Sequence, residues 1–341
     1  MAQVQRDWAK DATHVLIFLG LIVVLLFLLT WTGVIKCRVV PGWCDVYWSV
    51  TKGGQPRILI VTGNNGMGDP DLLKSALADP NYVHVQAQIQ NIDLINLGNL
   101  KNYDLIIVEK ARKISTGKLK VFMDYVNQGG RLVWTGDAGT ELAEGDRLLY
   151  ADEVTEGEKH TAFGPWARRS GDDQVRFDEF LSVQYVTNFC MVKRCTGIPW
   201  QGILVTDPGR EHPLVYGIRQ GLSLRGDFAI VKEVGDAVST RVLSLDWGSN
   251  LIGTSGTDYT KAISDYDANK NYAIENYPTG STDKDKYAPT RDYGTTFPII
   301  VTSGYGERVA YYAVPPEQFV NPELKDKYFT IIENLYYGML R

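Results

Sequence analysis

Cysteine is scarce, with four in 341 residues, and no two are spaced as a CxxC pair. That excludes a disulfide-built miniprotein and a thiolate metal knuckle. Histidine is equally scarce, four in all, without an HExxH or paired-His spacing, so no zinc site is expected. Basic blocks are missing too. The formal net charge is -5, and the pairs Arg168-Arg169 and Lys193-Arg194 are too short for a phosphate-neutralising stripe, so both read as surface and nucleic acid is not an expected partner. No N-x-S/T acceptor and no internal repeat occur. A 44% hydrophobic and 22% charged composition excludes disorder.

One long apolar run is present. Val15 to Leu29 carries no charge, and the apolar character continues to Ile35 before Lys36 and Arg38. As a helix, residues 15–35 would span ~32 Å, about one hydrocarbon core. Trp31, Trp43, Tyr47 and Trp48 suit an interfacial aromatic belt. A cleaved signal peptide is the alternative, but its apolar region is normally shorter and ends in a small-x-small site, which is not found here. The reading is a short tail (1–14), a single transmembrane helix (15–35) and a tether (36–56) punctuated by Pro41, Gly42, Gly53, Gly54 and Pro56. Arg6 and Lys10 against Lys36 and Arg38 leave the positive-inside count close to a tie. The cysteines fall into two near pairs, Cys37/Cys44 and Cys190/Cys195, that could close small loops in an oxidising compartment. The globular domain is therefore expected outside the cytoplasm.

From residue 57 onward, strands and helices alternate. Arg57–Thr62, Tyr103–Val108 and Arg131–Thr135 are short apolar runs of the kind buried on both faces of a parallel sheet. Val83–Ile89 alternates as a further strand. Asp69-Pro70 opens a helix through Ala78, and Leu119, Phe122, Met123 and Val126 stripe another that Gly129-Gly130 ends. The expected fold is α/β, a doubly wound, mostly parallel sheet of flavodoxin-like kind over residues 57–341. Two insertions interrupt it, at about 140–200 and 248–296. Further strands are expected at 203–206, 229–234, 241–245, 299–302 and 308–314, with a closing helix from about 322 to 340.

Four segments resemble the class I glutamine amidotransferase-like superfamily, in its ThuA-like and GldG-like branches. RILIVTGNNG is similar to the first strand and its loop, and FMDYVNQGGRLVWTGDAG to the helix, double-glycine turn, strand and nucleophile elbow. EHPLVYGI and GERVAYYAVP, with the closing IIENLYYGML, resemble later parts of the same branch. Catalytic members carry a strained-turn cysteine at the elbow, activated by a histidine. Here Asp137 stands in its place, which implies that amidotransferase activity is lost.

The candidate pocket is accordingly Asn64, Asn65, Gly66, Glu109, Asp137, Glu141 and His212, gathered at the carboxyl edge of the sheet, where doubly wound folds place ligands. Asp137 could equally cap the turn that follows it, and His212 could be a turn residue before Pro213. The loop Gly63–Gly68 lacks the Lys-Ser/Thr of a P-loop and reads as a tight strand-to-helix turn. Asp265 to Glu275 resembles a calcium loop, but Lys270 takes the glycine position. No catalytic residue, metal or cofactor is assigned. The functional expectation is a membrane-anchored, catalytically degenerate binding or scaffold subunit whose partners are the bilayer and other membrane or surface proteins. Its tyrosine-rich 248–296 excursion offers interface contacts. The alternative is a ThuA-like carbohydrate-active or hydrolytic enzyme using the edge carboxylates.

Overall fold

The computed structural model describes residues 2–158, 160–192, 203–206, 212–218, 226–234, 239–254, 290–320 and 328–340. It divides into two compact units, Met1–Pro56 and Arg57–Leu340.

The first unit opens with one helix, Ala2–Trp31. Its 20-residue stretch Ala12–Trp31 is long and apolar enough to cross a membrane, and the side chains from Val15 to Leu25 are exposed. The helix thus starts before the expected tail ends. It stops four residues earlier than expected, where Gly33 turns the chain at φ 73°. The expected tether is also corrected. A helix spans Trp43–Lys52, flanked by Gly42 and Gly53, both left-handed at φ 74°. The glycines that read as loop punctuation are its two ends, and Trp43, Tyr47 and Trp48 form its buried stripe. Cys37 and Cys44 are joined by a disulfide. Removing the bridge (Cys37→Ser with Cys44→Ser) frees a short loop, at a cost of roughly 2–3 kcal/mol of local stability. Trypsin should then cut at Arg38 and Lys52 faster, with no change in the melting of residues 57–340; equal cutting rates would refute this.

In the second unit the strands are β1 (Ile58–Thr62), β2 (Gln88–Asn91), β3 (Leu105–Glu109) and β4 (Leu132–Thr135). They are followed by β5 (Arg147–Leu148), β6 (Ala167–Ser170), β7 (Asp173–Arg176) and β8 (Val183–Asn188). Next come β9 (Ile203–Thr206), β10 (Ala229–Glu233), β11 (Ser239–Asp246) and β12 (Ile252–Thr254). The last are β13 (Thr290–Asp292), β14 (Thr296–Ser303) and β15 (Val309–Tyr312). Eight of them form the main sheet in the order β2-β1-β3-β4-β15-β14-β11-β9. The first five are parallel, and the other three add antiparallel. The result is a mixed α/β domain with a largely parallel sheet. The order β2-β1-β3-β4-β15 matches a flavodoxin-like winding, which reverses between β1 and β3. Leu59 to Val61, Leu105 to Val108 and Leu132 to Trp134 have no exposed surface, so these central strands are buried on both faces.

The helix Pro70–Ala78 is capped by Asp69, whose carboxylate accepts from Leu72 N at 3.2 Å. The helix Thr116–Asn127 is capped by Ser115 and buries Leu119, Phe122 and Val126. Gly130 after it is obligatory, since a Cβ there would stand 2.3 Å from the Tyr125 ring. The second strand is displaced from its expected position at Val83–Ile89. Val83, Val85 and Ala87 are buried, yet His84 adopts φ 58° and Val85 donates to Leu77 O at 2.9 Å. The alternation there reports packing beneath the Pro70–Ala78 helix, and the ladder with β1 begins only at Gln88.

The 140–200 insertion supplies the small sheet β5-β6-β7 and the strand β8, which pairs with β10. The 248–296 excursion is closed at its base by β12 and β13. Tyr259, Tyr266, Tyr272, Tyr277, Tyr287 and the calcium-like Asp265–Glu275 segment lie outside the described residues, as do Lys193 and Arg194. The closing helix is Phe329–Met339.

Candidate functional site

The loop after β1 does not leave the sheet edge open. Gly63 donates to Lys110 O at 3.0 Å, Lys110 to Met67 O at 2.7 Å, and Arg112 to Asn65 O at 2.9 Å. Residues 63–68 therefore lie along 109–112 and fill the crevice at the β1/β3 switch point with paired backbone. The glycines allow this approach. A Cβ at Gly66 would meet Asp137 Oδ1 at 3.1 Å, and one at Gly68 would meet the Glu109 Cβ at 3.1 Å. On the other side, Gly139 donates to Ala111 O at 2.8 Å and Glu141 to Arg112 O at 2.9 Å.

Asp137 sits on the turn after β4 with no exposed surface. Its Oδ1 accepts from Met67 N at 2.8 Å. Its Oδ2 accepts from Arg112 Nε at 2.8 Å, Arg112 Nη2 at 2.5 Å and Asn188 Nδ2 at 3.1 Å. Tyr185 fixes the Asn188 amide by donating to its Oδ1 at 2.8 Å. Burial disfavours the charge on Arg112, but the Asp137 carboxylate outweighs burial and raises its pKa. Arg112 also reaches Glu141 Oε1 at 3.5 Å, and Asn65 Nδ2 donates to Glu141 Oε2 at 3.2 Å. The turn itself is anchored from below, where Trp134 and Trp166 both donate to Ala138 O, at 2.9 and 2.8 Å. Three donors thus crowd Oδ2 and one holds Oδ1, and the carboxylate they fix has no exposed surface.

Four of the seven candidate residues thus converge, Asn65, Gly66, Asp137 and Glu141, and they do so around Arg112. Asn64 is exposed on the loop. Glu109 turns the other way, towards Gly68, Asp69 and Glu317. His212 is at the far end of the sheet. Its Nε2 lies 2.8 Å from Glu307 Oε2, and Glu307 precedes the strand end where Leu132 N bonds Arg308 O. Asp137 follows Thr135, which pairs with Tyr312 at the opposite end of those strands. His212 Nδ1 accepts from Leu214 N at 3.2 Å, capping the turn that Pro213 opens. Asp137, Glu109 and His212 share no pocket.

Asp227, on the same rim, has its carboxylate bonded by Cys190 N at 2.8 Å and Phe228 N at 2.9 Å. Burial pushes it up to about 6 against those two donors. Cys190 carries no free thiol; Cys195 lies outside the described residues. Among the described residues, no group of three or more His, Cys, Asp or Glu side chains is arranged to hold a metal. Arg168, expected on the surface, has no exposed area. Its guanidinium donates to the carbonyls of Pro165, Ile114, Gly139 and Glu141. Arg112, Asn188, Tyr185, Asp227 and Glu317 were not anticipated from sequence. Arg112, three residues past the end of β3, was the one with a positional signal.

Glu109 and Glu317 are a buried carboxyl pair. Glu317 Oε1 accepts from Asp69 N at 2.9 Å, which ties residues 316–320 to the cap of the Pro70–Ala78 helix. Burial and then the Glu317 charge hold Glu109 well above its usual range, with Asp69 adding to the effect and Lys110 opposing it. Burial pushes Glu317 up to about 7. The folded state therefore holds these protons more tightly than the unfolded chain. Their stabilising contribution is complete below about pH 4.5, and the share from Glu317 is lost as pH rises through about 7. The melting temperature should fall between pH 5 and pH 8. Glu317→Gln should reduce that slope without abolishing it, since Glu109, still raised by burial, and Asp227 keep their shares; an unchanged slope in the variant would remove Glu317 as a cause.

No family model and no curated protein matches the sequence. Solved structures with a similar backbone include a ThuA-like protein from Bacteroides uniformis, at 16% identity and TM-score 0.46, covering 82% of this chain and 89% of that one. A ThuA-like protein from Parabacteroides merdae matches at 12% identity and TM-score 0.39, covering 83% of this chain and 90% of that one. A β-galactosidase from Rahnella matches at 13% identity and TM-score 0.42, covering 83% of this chain but 30% of its own.

Proposed function

We propose that this chain is a single-pass, membrane-anchored subunit whose amidotransferase-like, ThuA-like domain binds a partner instead of catalysing, within a membrane or cell-surface assembly. The observation that carries this reading is the enclosure of Asp137. The carboxylate at the nucleophile position is neutralised by Arg112, bonded further by Met67 N and Asn188 Nδ2, and closed off from the surface. The elbow is used to hold together the loops after β1 and β3 and the end of β8, and Asn65, Glu141 and Asp227 stand around it. That rim carries both signs, Glu141 and Asp227 with Arg112 and Lys113 beside them, which suits a polar protein surface of mixed charge. The Cys37–Cys44 bridge supports placing the domain on the oxidising side of the membrane.

The test is mild-detergent extraction of native membranes bearing the full chain, followed by native-gel sizing. The scaffold reading expects one discrete assembly much larger than the 38.1 kDa chain. It also expects Glu141→Arg, a rim change that leaves Asp137 paired, to dissociate that assembly. A monomer in native membranes would sink the reading.

A further inference from the structure

We propose that the Trp43–Lys52 helix folds back onto the end of the first helix and lies in the membrane interface, with Val46 and Val50 against lipid. This rests on reading Ala12–Trp31 as a membrane span. The contacts run in reverse order along the two helices. Trp43 Nε1 donates to Thr30 Oγ1 at 2.9 Å, while Tyr47, one turn later, packs its ring 5.5 Å from that of Phe27. Moving forward along the second helix therefore moves backward along the first. Phe27 lies four residues, or ~6 Å, inside the Trp31 end of the span. Whatever packs on Phe27 and Thr30 shares their depth, at the boundary between headgroups and acyl chains.

The second helix is built for that boundary. At 100° per residue, Trp43, Cys44, Tyr47, Trp48 and Thr51 form one face, and Val46 and Val50 extend it on one side. Asp45, Ser49 and Lys52 occupy the remaining arc. The apolar face is covered only in part: Trp43, Tyr47 and Trp48 are buried, but Val46 is 49% and Val50 68% exposed. Val39, at 66%, and Trp31, at 60%, are also exposed in this unit. Polar groups at this depth are satisfied inside the unit. The Thr30 hydroxyl that accepts from Trp43 donates onward to Leu26 O at 2.7 Å, as a dry environment requires. Asp45 accepts from Gln55 at 3.2 Å. The Cys37–Cys44 bridge holds the reversal. An amphipathic helix continuous with a span, with its uncovered apolar strip facing outward, fits the lipid boundary.

The experiment places a nitroxide label, one position at a time, at Val46→Cys, Val50→Cys, Ser49→Cys and Leu21→Cys of the full chain. The chains are reconstituted in phosphatidylcholine–phosphatidylglycerol vesicles, and label uptake by the unsubstituted chain is subtracted. Collision with oxygen, which concentrates in lipid, is compared with collision with a water-soluble nickel chelate. The expected oxygen-to-nickel ratio at positions 46 and 50 is several-fold above that at 49 and approaches that at 21. Equal ratios at 46, 49 and 50, with position 21 still in lipid, overturn the interfacial helix while leaving the span intact. An aqueous reading at position 21 overturns the span itself.

Discussion

Asp137→Ala is expected to lower the unfolding free energy by ~3–5 kcal/mol, the usual loss when one partner of a buried ion pair is removed. The substitution strips the counter-charge from a half-buried Arg112 and orphans the Met67 N–H and the Asn188 amide at once. Arg112→Ala should be at least as damaging, because it leaves a carboxylate with no exposed surface and no cation. The double variant should lose much less than the sum, since the two penalties are largely the same penalty. Denaturant unfolding of the four proteins in detergent measures this cycle. The opposite outcome is informative. Elbows that hold a nucleophile in strain for catalysis tend to gain stability when it is replaced. An Asp137→Ala variant that matched or exceeded the parent would mean that the carboxylate is held ready for chemistry, and the binding-subunit reading would fall.

The central strands were legible in the sequence because a strand buried on both faces must be an uninterrupted apolar run, and RILIVT, YDLIIV and RLVWT are such runs. The position of the elbow was legible for the same reason, as it follows the last of them. The partner of Asp137 was not. Arg112 and Asn188 are 25 and 51 residues away from it, and they meet it only because the loops after β1 and β3 and the end of β8 stack over one sheet edge. The second strand was placed too early because period-two burial at Val83, Val85 and Ala87 arises from a helix above the chain as readily as from a ladder beside it. In the first unit the signal was present but outweighed. Trp43, Tyr47 and Trp48 are spaced for one helical face, yet the flanking Gly42 and Gly53 read as a linker, although glycines also end helices. Arg168 was read as surface because burial of an arginine depends on four carbonyls contributed by three separate segments, and no local pattern announces them.

That arginine carries the other large expected effect. Arg168→Met should destabilise the domain by ~3–5 kcal/mol, because an apolar side chain removes every donor and takes a partner from the carbonyls of Pro165, Ile114, Gly139 and Glu141, the first three in buried bonds. Asp146, 3.9 Å from Arg168 Nη1 and 3% exposed, would also lose its nearest cation. Its Oδ2 accepts from Thr116 N at 2.7 Å, so the start of the Thr116–Asn127 helix should loosen as well. Arg168→Lys should recover little. An ammonium is a point donor on a flexible stem and cannot place N–H groups along the three directions that the planar fork serves. Two of the four carbonyls belong to residues 139 and 141, which frame the Asp137 turn, so the loss should reach the rim. Amide exchange at Glu141, whose N–H bonds Arg112 O at 2.9 Å, should accelerate in both variants, while exchange in β11 stays slow. If Arg168→Lys unfolds and exchanges like the parent, the cage holds a charge and not a shape, and Arg168 has no part in fixing the turn.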